Sequence, residues 1–204
     1  LWVARACSEL NAALVFISTD YVFGEDQARC QPYNVQDLPA PLNVYGASKL
    51  AGEQLVHMTW EKHYIVRTSG VYGTRGASGK GGNFIELMLR LAHEGKDIRV
   101  VNDQRLATTF TQDLAQALEN LITTGRYGYY HITNSGDCTW YEFAAKIFSL
   151  AGLSPKLTPT TSDEFKTPAR RPAYSVLGNQ AWLEAGLPPM RPWTEALAEY
   201  LQAR

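Results

Sequence analysis

Tyr45 and Lys49, within the segment Tyr-Gly-Ala-Ser-Lys, are the two residues whose types and spacing most directly suggest chemistry. A spacing of four on a helix places both side chains on one face, one turn apart. A lysine ammonium beside a phenol lowers the tyrosine pKa from its usual value of about 10. Such a tyrosine can protonate a carbonyl oxygen as hydride reaches the carbon, and the lysine can bind ribose hydroxyls of a nicotinamide cofactor. Taken alone, the spacing favours an ordinary exposed helical pair.

Ser18, Thr19 and Asp20 lie at the end of an apolar run, ALVFIS at 13–18, which predicts a strand buried on both faces of a parallel sheet. Ligand sites of such sheets lie at the carboxyl ends of the strands. A hydroxyl here could therefore hydrogen-bond the same carbonyl oxygen as the tyrosine, although simple turn chemistry is the alternative. A strand end, a hydroxyl and Tyr-x-x-x-Lys at the start of a helix are much more specific together than separately.

Strand and helix patterns alternate along the rest of the chain. Strands are predicted at 13–18, 63–68, 98–101 and 128–132. Helices are predicted at 44–60, 83–94, 111–123, 139–150, 178–185 and 193–202. A long loop is expected at 24–44, a mobile glycine-rich loop at 73–82 and an extended connection at 153–172. This alternation predicts an α/β fold with a mostly parallel sheet.

The composition excludes several classes of protein. Nineteen Lys and Arg stand against twenty Asp and Glu, and 45% of the 204 residues are apolar, which argues against intrinsic disorder and against a nucleic-acid partner. No apolar run approaches the roughly 18 residues of a membrane span, so we expect no membrane partner. The scattered, odd-numbered cysteines indicate a reducing compartment, and we expect a cytoplasmic location. The three cysteines and four histidines have no metal-binding spacing, so we expect free thiols and no metal site.

Residues 1–11 have the pattern of the second half of an amphipathic helix, and the chain begins with Leu1 rather than Met. They show neither the charged start nor the cleavage site of a signal peptide. We therefore expect this chain to be the C-terminal portion of a longer protein.

Several segments, in the same order, carry a family resemblance. They are STDYVFG (18–24), PLNVYGASKLAGEQLV (41–56), VRTSGVYG (66–73), NFIELMLRLAHEGKDIRVVNDQ (83–104), DLAQAL (113–118) and ARRPAYSVLGN (169–179). The chain resembles the extended short-chain dehydrogenase/reductase superfamily and, within it, the dTDP-4-dehydrorhamnose reductase family. STDYVF together with PLNVYGASK is specific to that branch, whereas Tyr-x-x-x-Lys indicates only the superfamily.

The resemblance implies a Rossmann-like doubly wound parallel sheet, of which this chain holds the C-terminal portion, with a small α/β substrate-binding part. Residues 1–82 would be the C-terminal half of the NAD(P)-binding domain. Residues 83–204 would be mainly substrate-binding, with segments returning to the Rossmann sheet.

The resemblance also assigns roles to residues. Tyr45 would donate the proton, Lys49 would hold the nicotinamide ribose and lower the tyrosine pKa, and Thr19 would be the catalytic hydroxyl. The implied cofactor contacts are Tyr45, Lys49, Ser18 and Thr68. The implied substrate contacts are Thr19, Asp20, Gly70 and Asn83.

Two further polar features of the sequence each have two alternative interpretations. Asn83 opens a helix, where it could meet a phosphate or serve only as an N-cap. Arg170 and Arg171 could hold a diphosphate or form a solvated pair.

The activity implied is reduction, with NADPH or NADH, of the C4 keto group of dTDP-4-dehydro-6-deoxy-L-mannose to give dTDP-L-rhamnose. The expected partner is thus a dTDP-4-keto-6-deoxy sugar. The sequence leaves the oligomeric state open, with a homodimer as one option. The alternatives are a non-catalytic nucleotide-binding subunit, as in the regulatory beta subunit of methionine adenosyltransferase, and another nucleotide-sugar ketoreductase or epimerase. A dehydratase ranks lower because Asp20, rather than a Glu, follows Thr19.

Three departures from the family pattern bear on this interpretation. The glycine-rich turn that receives the dinucleotide pyrophosphate is absent, together with its βαβ unit of roughly 30 residues or more, so we expect this chain alone to be inactive. The glycines at 76–82 do not replace that turn. Gly70 stands where the family usually has Trp, and 103–109 lacks the usual Gly and Pro before Thr. The change at Gly70 leaves the identity of the sugar open, and the change at 103–109 implies a different turn.

Overall fold

The computed structural model describes residues 1–75, 82–165 and 167–204. Most of the glycine-rich loop predicted at 73–82 therefore lies outside the described residues. The helices are α1 (Trp2–Glu9), α2 (Val44–Thr59), α3 (Phe84–His93), α4 (Thr111–Ile122), α5 (Trp140–Ala151), α6 (Gln180–Glu184) and α7 (Trp193–Ala203). The strands are β1 (Leu14–Thr19), β2 (His63–Thr68), β3 (Val71–Tyr72), β4 (Ile98–Val101), β5 (Arg105–Leu106), β6 (Thr109–Phe110), β7 (Gly128–His131), β8 (Cys138–Thr139) and β9 (Leu157–Thr160).

The largest sheet is parallel and has the strand order β1-β2-β7. All six residues of the central strand β2 are buried, which is why its sequence lacks the alternation of a half-exposed strand. Because parallel strands need crossover connections, α2 links β1 to β2 and a much longer excursion links β2 to β7. The carboxyl ends of all three strands consequently meet at one edge, and the predicted α/β class is confirmed.

Three two-stranded pairs surround the main sheet: β3 with β6 and β4 with β9, both parallel, and β5 with β8, antiparallel. The expectation that 153–172 is only an extended connection was wrong, since β9 lies within it and pairs with β4. Pro159 sits in this strand opposite Val100. A four-residue strand with a central proline has a weak local signal, and here the pairing comes from tertiary contacts.

The helices that carry site residues begin at capping side chains. Asn83 accepts a hydrogen bond from the backbone N–H of Glu86. Thr139 and Glu142 form a reciprocal capping box. These helices therefore begin one residue after the predicted positions of 83 and 139, and Gly95 and Gly152 follow their ends with left-handed φ of 65° and 66°.

Two apolar cores hold these elements together. One packs α4 and α6 against β2 and β7, around Tyr64, Leu121 and Trp182. The other joins α3, α5 and α7, around Phe143 and Tyr200. Within the described ranges, none of the helices is both long enough and apolar enough to cross a membrane.

Candidate active site

A cleft of about 610 Å³ opens at the carboxyl ends of β1 and β2. Seven of the eight residues to which the resemblance gave a catalytic, cofactor or substrate role line it: Ser18, Thr19, Asp20, Tyr45, Lys49, Thr68 and Gly70. They come from two strand ends, from the start of α2 and from the turn after β2. The position matches the rule that sheet sites lie beyond the carboxyl ends of parallel strands.

The start of α2 is held tightly against the end of β1. Asn43 caps the helix by accepting from the backbone N–H of Gly46 at 2.8 Å. A Cβ at Gly46 would lie only 2.0 Å from the carbonyl oxygen of Tyr21. The helix can therefore approach the strand end this closely only because Gly46 has no side chain. Tyr45 is 54% exposed, and its ring meets that of Tyr21 edge-on at 6.1 Å. The phenol therefore stands at the mouth of the cleft.

Lys49 is held by an aromatic ring of the adjacent strand. Its Nζ lies 4.7 Å from the centre of the Phe16 ring, within the range of a cation–π contact. The same ring occupies the place beside Gly52, where a Cβ would be 2.6 Å from Cζ of Phe16. The ring thus packs between the helix backbone and the ammonium group and fixes the lysine on the cleft side.

Thr19 and Asp20 hydrogen-bond within the protein. Thr19 Oγ1 accepts from the backbone N–H of Tyr21 at 3.2 Å and donates to Asp20 Oδ1 at 3.1 Å. Asp20 Oδ2 accepts from Ser69 Oγ at 2.8 Å and from Ser175 Oγ at 2.6 Å. Burial raises the pKa of Asp20, and the three hydroxyl donors offset part of that rise.

The two hydroxyls expected at the cofactor also face inward. Ser18 Oγ donates to Glu53 Oε1 at 2.5 Å, and Thr68 Oγ1 donates to Thr109 Oγ1 at 3.2 Å. Both side chains are buried although they border the cleft. Their direct hydrogen bonds therefore join β1 and β2 to the elements packed around them.

Gly70 has a φ of 53°, which favours glycine, and a Cβ there would lie 2.9 Å from the carbonyl oxygen of Ala107. Its own carbonyl accepts from the backbone N–H of Thr109 at 3.2 Å. The segment 103–109 therefore packs directly on Gly70, the other position at which the resemblance implied a departure. The two departures lie side by side at the same wall of the cleft.

Asn83 lies outside this cleft. Its Oδ1 caps α3, and its Nδ2 donates to the carbonyl of Gly73 at 3.1 Å and to Tyr200 Oη at 2.9 Å. The N-cap interpretation is confirmed. With its amide engaged in this way, the start of α3 would offer a phosphate mainly backbone N–H groups.

Asn83 borders a second cavity, of about 550 Å³, lined by three arginines and three aromatic residues. These are Arg90, Arg99, Arg171, Phe84, Trp140 and Phe165. Trp140 borders both this cavity and the cleft. Of the residues that line this cavity, the sequence pointed only to Arg171 and Asn83. Arg90 and Arg99 were missed because they lie on separate elements, α3 and β4.

Four buried polar residues at the site were missed from the sequence: Glu53, Arg67, Ser69 and Ser175. Arg67 had a usable signal, since a charge inside an apolar strand is expected to be paired. Glu53 also had one, because it extends the spacing of Tyr45 and Lys49 by four more residues. Among the described side chains, no three His, Cys, Asp or Glu groups come together to hold a metal ion.

Comparison with known proteins places this geometry in context. The sequence matches the RmlD substrate binding domain family over residues 2–204. It is 44% identical over 203 residues to the spore coat polysaccharide biosynthesis protein SpsK of Bacillus subtilis, covering 100% of this chain and 69% of that protein. It is 42% identical over 203 residues to dTDP-4-dehydrorhamnose reductase of Mycolicibacterium smegmatis, covering 98% of this chain and 61% of the relative.

Solved structures also resemble this chain, one in sequence and fold and one in fold alone. The crystal structure of dTDP-4-dehydrorhamnose reductase from Bacillus anthracis in complex with NADP is 42% identical, with a TM-score of 0.93 over 99% of this chain and 69% of that one. The dTDP-glucose 4,6-dehydratase of Bacillus anthracis, at 20% identity and a TM-score of 0.81, covers 98% of this chain and 64% of that one and shares the fold. The Rossmann-like α/β architecture is confirmed, and the chain spans 61 to 69% of the length of these four proteins.

Proposed function

The chain belongs to the RmlD substrate binding domain family, and on that premise we propose that it carries the catalytic centre of an NAD(P)H-dependent dTDP-4-dehydrorhamnose reductase. The reaction is reduction of the C4 keto group of dTDP-4-dehydro-6-deoxy-L-mannose to dTDP-L-rhamnose. The observation that carries the proposal is the convergence of Tyr45, Lys49 and Thr19 on one cleft at the strand ends. Relatives named dTDP-4-dehydrorhamnose reductase at about 40% identity support it.

The residues of the cleft fit a nicotinamide cofactor with a keto-sugar beside it. The half-exposed phenol of Tyr45 can reach a ligand in the cleft, and the ammonium of Lys49 offers donors to ribose hydroxyls. When bound, the reduced nicotinamide supplies hydride to the C4 carbon. Tyr45 gives its phenolic proton to the C4 oxygen, and the positive charge of Lys49 offsets the negative charge that the phenol acquires.

Thr19 completes the arrangement around the carbonyl oxygen. Its hydroxyl donates to Asp20 in the structure, and a rotation about its Cβ–Oγ1 bond would redirect that proton to the substrate oxygen while Oγ1 still accepts from the backbone N–H of Tyr21. Asp20, held by the hydroxyls of Ser69 and Ser175, then keeps hydrogen-bond partners while Thr19 turns. Thr19 thus orients the carbonyl. Asp20 lies beside Thr19 in the cleft lining and would make the next contact with the sugar.

The second cavity fits the nucleotide end of the substrate. Arg90 and Arg171 supply positive charge for a diphosphate, whereas Arg99 in the same wall is paired with Glu164. The rings of Phe84, Trp140 and Phe165 supply apolar faces for a base. Trp140 borders both cavities, so one extended nucleotide-sugar could occupy both. Gly70 and Asn83 would line the path between them.

The division of the chain follows from the same proposal. Residues 1–82 form the C-terminal half of the cofactor-binding Rossmann domain, and 83–204 form mainly the substrate region. The membership of β7 in the sheet of β1 and β2 supports a return of the second part to the Rossmann sheet. The cofactor, NADPH or NADH, a homodimeric assembly and a cytoplasmic location stay predictions.

The test uses the natural polypeptide that carries this chain. Oxidation of NADPH and of NADH is followed by absorbance with the dTDP-4-keto-6-deoxy sugar, alongside Tyr45→Phe, Lys49→Met and Thr19→Val. We expect turnover in the wild-type protein, and a loss of about 100-fold or more in Tyr45→Phe because the proton donor is gone. Cofactor binding without turnover would reject the reductase and favour a regulatory subunit, whereas turnover of a different keto-sugar would correct the substrate.

A further inference from the structure

Glu53 and Arg67 form an ion pair that is fully enclosed in the protein. Arg67 Nε donates to Glu53 Oε1 at 3.0 Å and Nη2 donates to Oε2 at 2.7 Å, so the contact is bidentate. The side chain of Arg67 is 3% exposed and that of Glu53 is 0% exposed. Removing two charges from water is costly, and well-packed apolar residues often stabilise a fold as well or better. Stability alone therefore does not explain this pair.

The pair is attached to a polar row that crosses the whole main sheet. Ser18, Arg67 and His131 are in register on β1, β2 and β7. Ser18 Oγ donates to Glu53, and Arg67 Nη1 lies 3.4 Å from His131 Nε2. Arginine can only donate, so Nε2 must accept, and Nδ1 then donates to the carbonyl of Tyr33 at 3.0 Å. The row lies one residue before the ends of β1 and β2.

On the helix, Glu53 continues the line of the two site residues. Tyr45, Lys49 and Glu53 recur every four residues along α2, which keeps them on one side of the helix. Glu53 is about 12 Å along the axis from Tyr45, at 1.5 Å per residue. Its carboxylate is bound on both oxygens, by Arg67 and by Ser18. Sliding or rotating the helix would break these bonds and would move the phenol and the ammonium with it.

The two ends of this half of the helix are thus fixed in different ways. At Gly46 the backbone touches the carbonyl of Tyr21, which limits how close the helix comes to the strand. At Glu53 a planar, two-pronged contact limits its rotation and its height, because guanidinium and carboxylate bond well only in a narrow set of orientations. An apolar contact of equal area would tolerate both movements.

We propose that Glu53 and Arg67 are positioning residues, which hold α2 at the height and rotation that bring Tyr45 and Lys49 to the strand end at Thr19. The inference rests on the proposed reductase function and extends it to two residues that touch neither substrate nor cofactor. Its consequence is that breaking the pair slows turnover more than the loss of stability alone explains.

The kinetic test compares three single variants of the natural polypeptide. Glu53→Gln keeps the shape and removes the charge, whereas Arg67→Lys keeps the charge and removes the bidentate contact. Leu121→Ala is the matched control, because Leu121 is fully buried on α4 in the core with Tyr64, so it lowers the Tm at a distance from α2. All are assayed well below their Tm values.

We expect kcat to fall about tenfold or more in both pair variants, since an error of about 1 Å in placing reacting groups can cost 100-fold. The KM for the dTDP-sugar stays within about twofold, because the nucleotide cavity lies on other elements. Leu121→Ala keeps the wild-type kcat. A kcat in Glu53→Gln and Arg67→Lys equal to that of Leu121→Ala would overturn the proposal.

A double variant, Glu53→Gln with Arg67→Met, separates position from stability. It leaves no unpaired buried charge, so its Tm recovers toward the wild-type value. If the pair sets the position of α2, kcat stays low even though the Tm recovers. A kcat that recovers together with the Tm would reduce the pair to a stabilising contact and reject the proposal.

Hydrogen exchange provides a readout that needs no activity. In Glu53→Gln and Arg67→Lys, amides of Val44–Thr59 should exchange faster by about tenfold, with smaller changes in Thr111–Ile122. Leu121→Ala should give the reverse pattern. A wild-type protein that does not turn over would reject the reductase function, and exchange spread evenly over the fold would reject the positioning role, so the two failures are distinguishable.

Discussion

The backbone of Gly46 touches the carbonyl oxygen of Tyr21 so closely that a Cβ on the glycine would lie 2.0 Å from that oxygen. No side chain larger than hydrogen fits there unless the helix or the strand end moves. Because Tyr45 is the next residue along α2, this contact sets how near the phenol comes to Thr19. It links the helix start to the strand end without any side-chain hydrogen bond.

Gly46→Ala is therefore expected to reverse the usual effect of this change. In a helix interior, glycine to alanine normally adds up to about 1 kcal/mol of stability. Here the new methyl group must displace the backbone, and we expect a loss of about 1–3 kcal/mol, as for overpacked cores, together with a fall in kcat. Urea unfolding and steady-state kinetics measure both, and a more stable variant would contradict the contact.

Asp20 gives a pH dependence of known sign. Burial raises its pKa in the folded protein above the ordinary 3.8, so its contribution to stability is full below 3.8 and is lost as the pH rises through the folded pKa. Asp20→Asn lacks this loss. The difference in unfolding free energy between Asp20→Asn and wild type should grow in favour of the variant from pH 4 to pH 7. A difference that shrinks over that range would argue against a buried, costly carboxylate.

His131 has the opposite effect in an overlapping range. Burial and the charge of Arg67 lower its pKa from 6.5 to about 3. Below about pH 6.5 the unfolded chain binds a proton that the folded protein does not, so stability falls as the pH drops, by at most about 1.4 kcal/mol per unit. Between pH 7 and pH 5, the unfolding free energy of the wild type should fall relative to that of His131→Asn. Equal slopes would mean that another group titrates.

The main strands and helices could be predicted because their signals are local. β1 is a nearly continuous apolar run, β2 has a short apolar centre, and α2, α3 and α5 begin at recognisable caps such as Asn83 and Thr139. The two-residue strands could not be predicted, since a pair of residues has no periodicity. β9 was missed for a related reason, because its proline hides a strand that only the partner β4 reveals.

The lining of the cleft could be predicted where its residues belong to a known motif, whereas the buried partners behind them could not. A strand end followed by a hydroxyl and then by Tyr-x-x-x-Lys is a recognisable pattern, and it contains Ser18, Thr19, Tyr45 and Lys49. Ser175 reaches Asp20 across 155 positions, and nothing in the sequence near it indicates that contact. Such pairings follow from the path of the whole chain rather than from any local preference.

Gly70→Ala tests whether the cleft wall is built on a backbone that requires glycine. The left-handed conformation alone costs a residue with a side chain about 1–2 kcal/mol, and here a Cβ would also press on the carbonyl of Ala107 at 2.9 Å. Gly95→Ala is the matched control, since its φ is 65° and nothing lies within 4 Å of its Cβ position. Chemical unfolding should show a larger loss in Gly70→Ala, and a raised KM for the sugar should accompany it. Equal losses would mean that the wall gives way freely.

Arg171 and Arg170 provide a neighbouring pair in which one residue borders the nucleotide cavity and the other does not. Arg171 lines that cavity, whereas Arg170 is exposed and its carbonyl accepts from Nδ2 of Asn43 at 2.9 Å. If the cavity binds a diphosphate, Arg171→Met should raise the KM for the dTDP-sugar about tenfold, at a cost typical of a charge-assisted hydrogen bond. The Tm should stay unchanged because the side chain is exposed, and the kcat at saturation should stay unchanged because the contact acts on binding. Arg170→Met should leave all three values at the wild-type level. A KM that responds equally to both substitutions would indicate only a general attraction between a basic surface and an anionic ligand, since a specific contact depends on which of the two guanidinium groups faces the cavity.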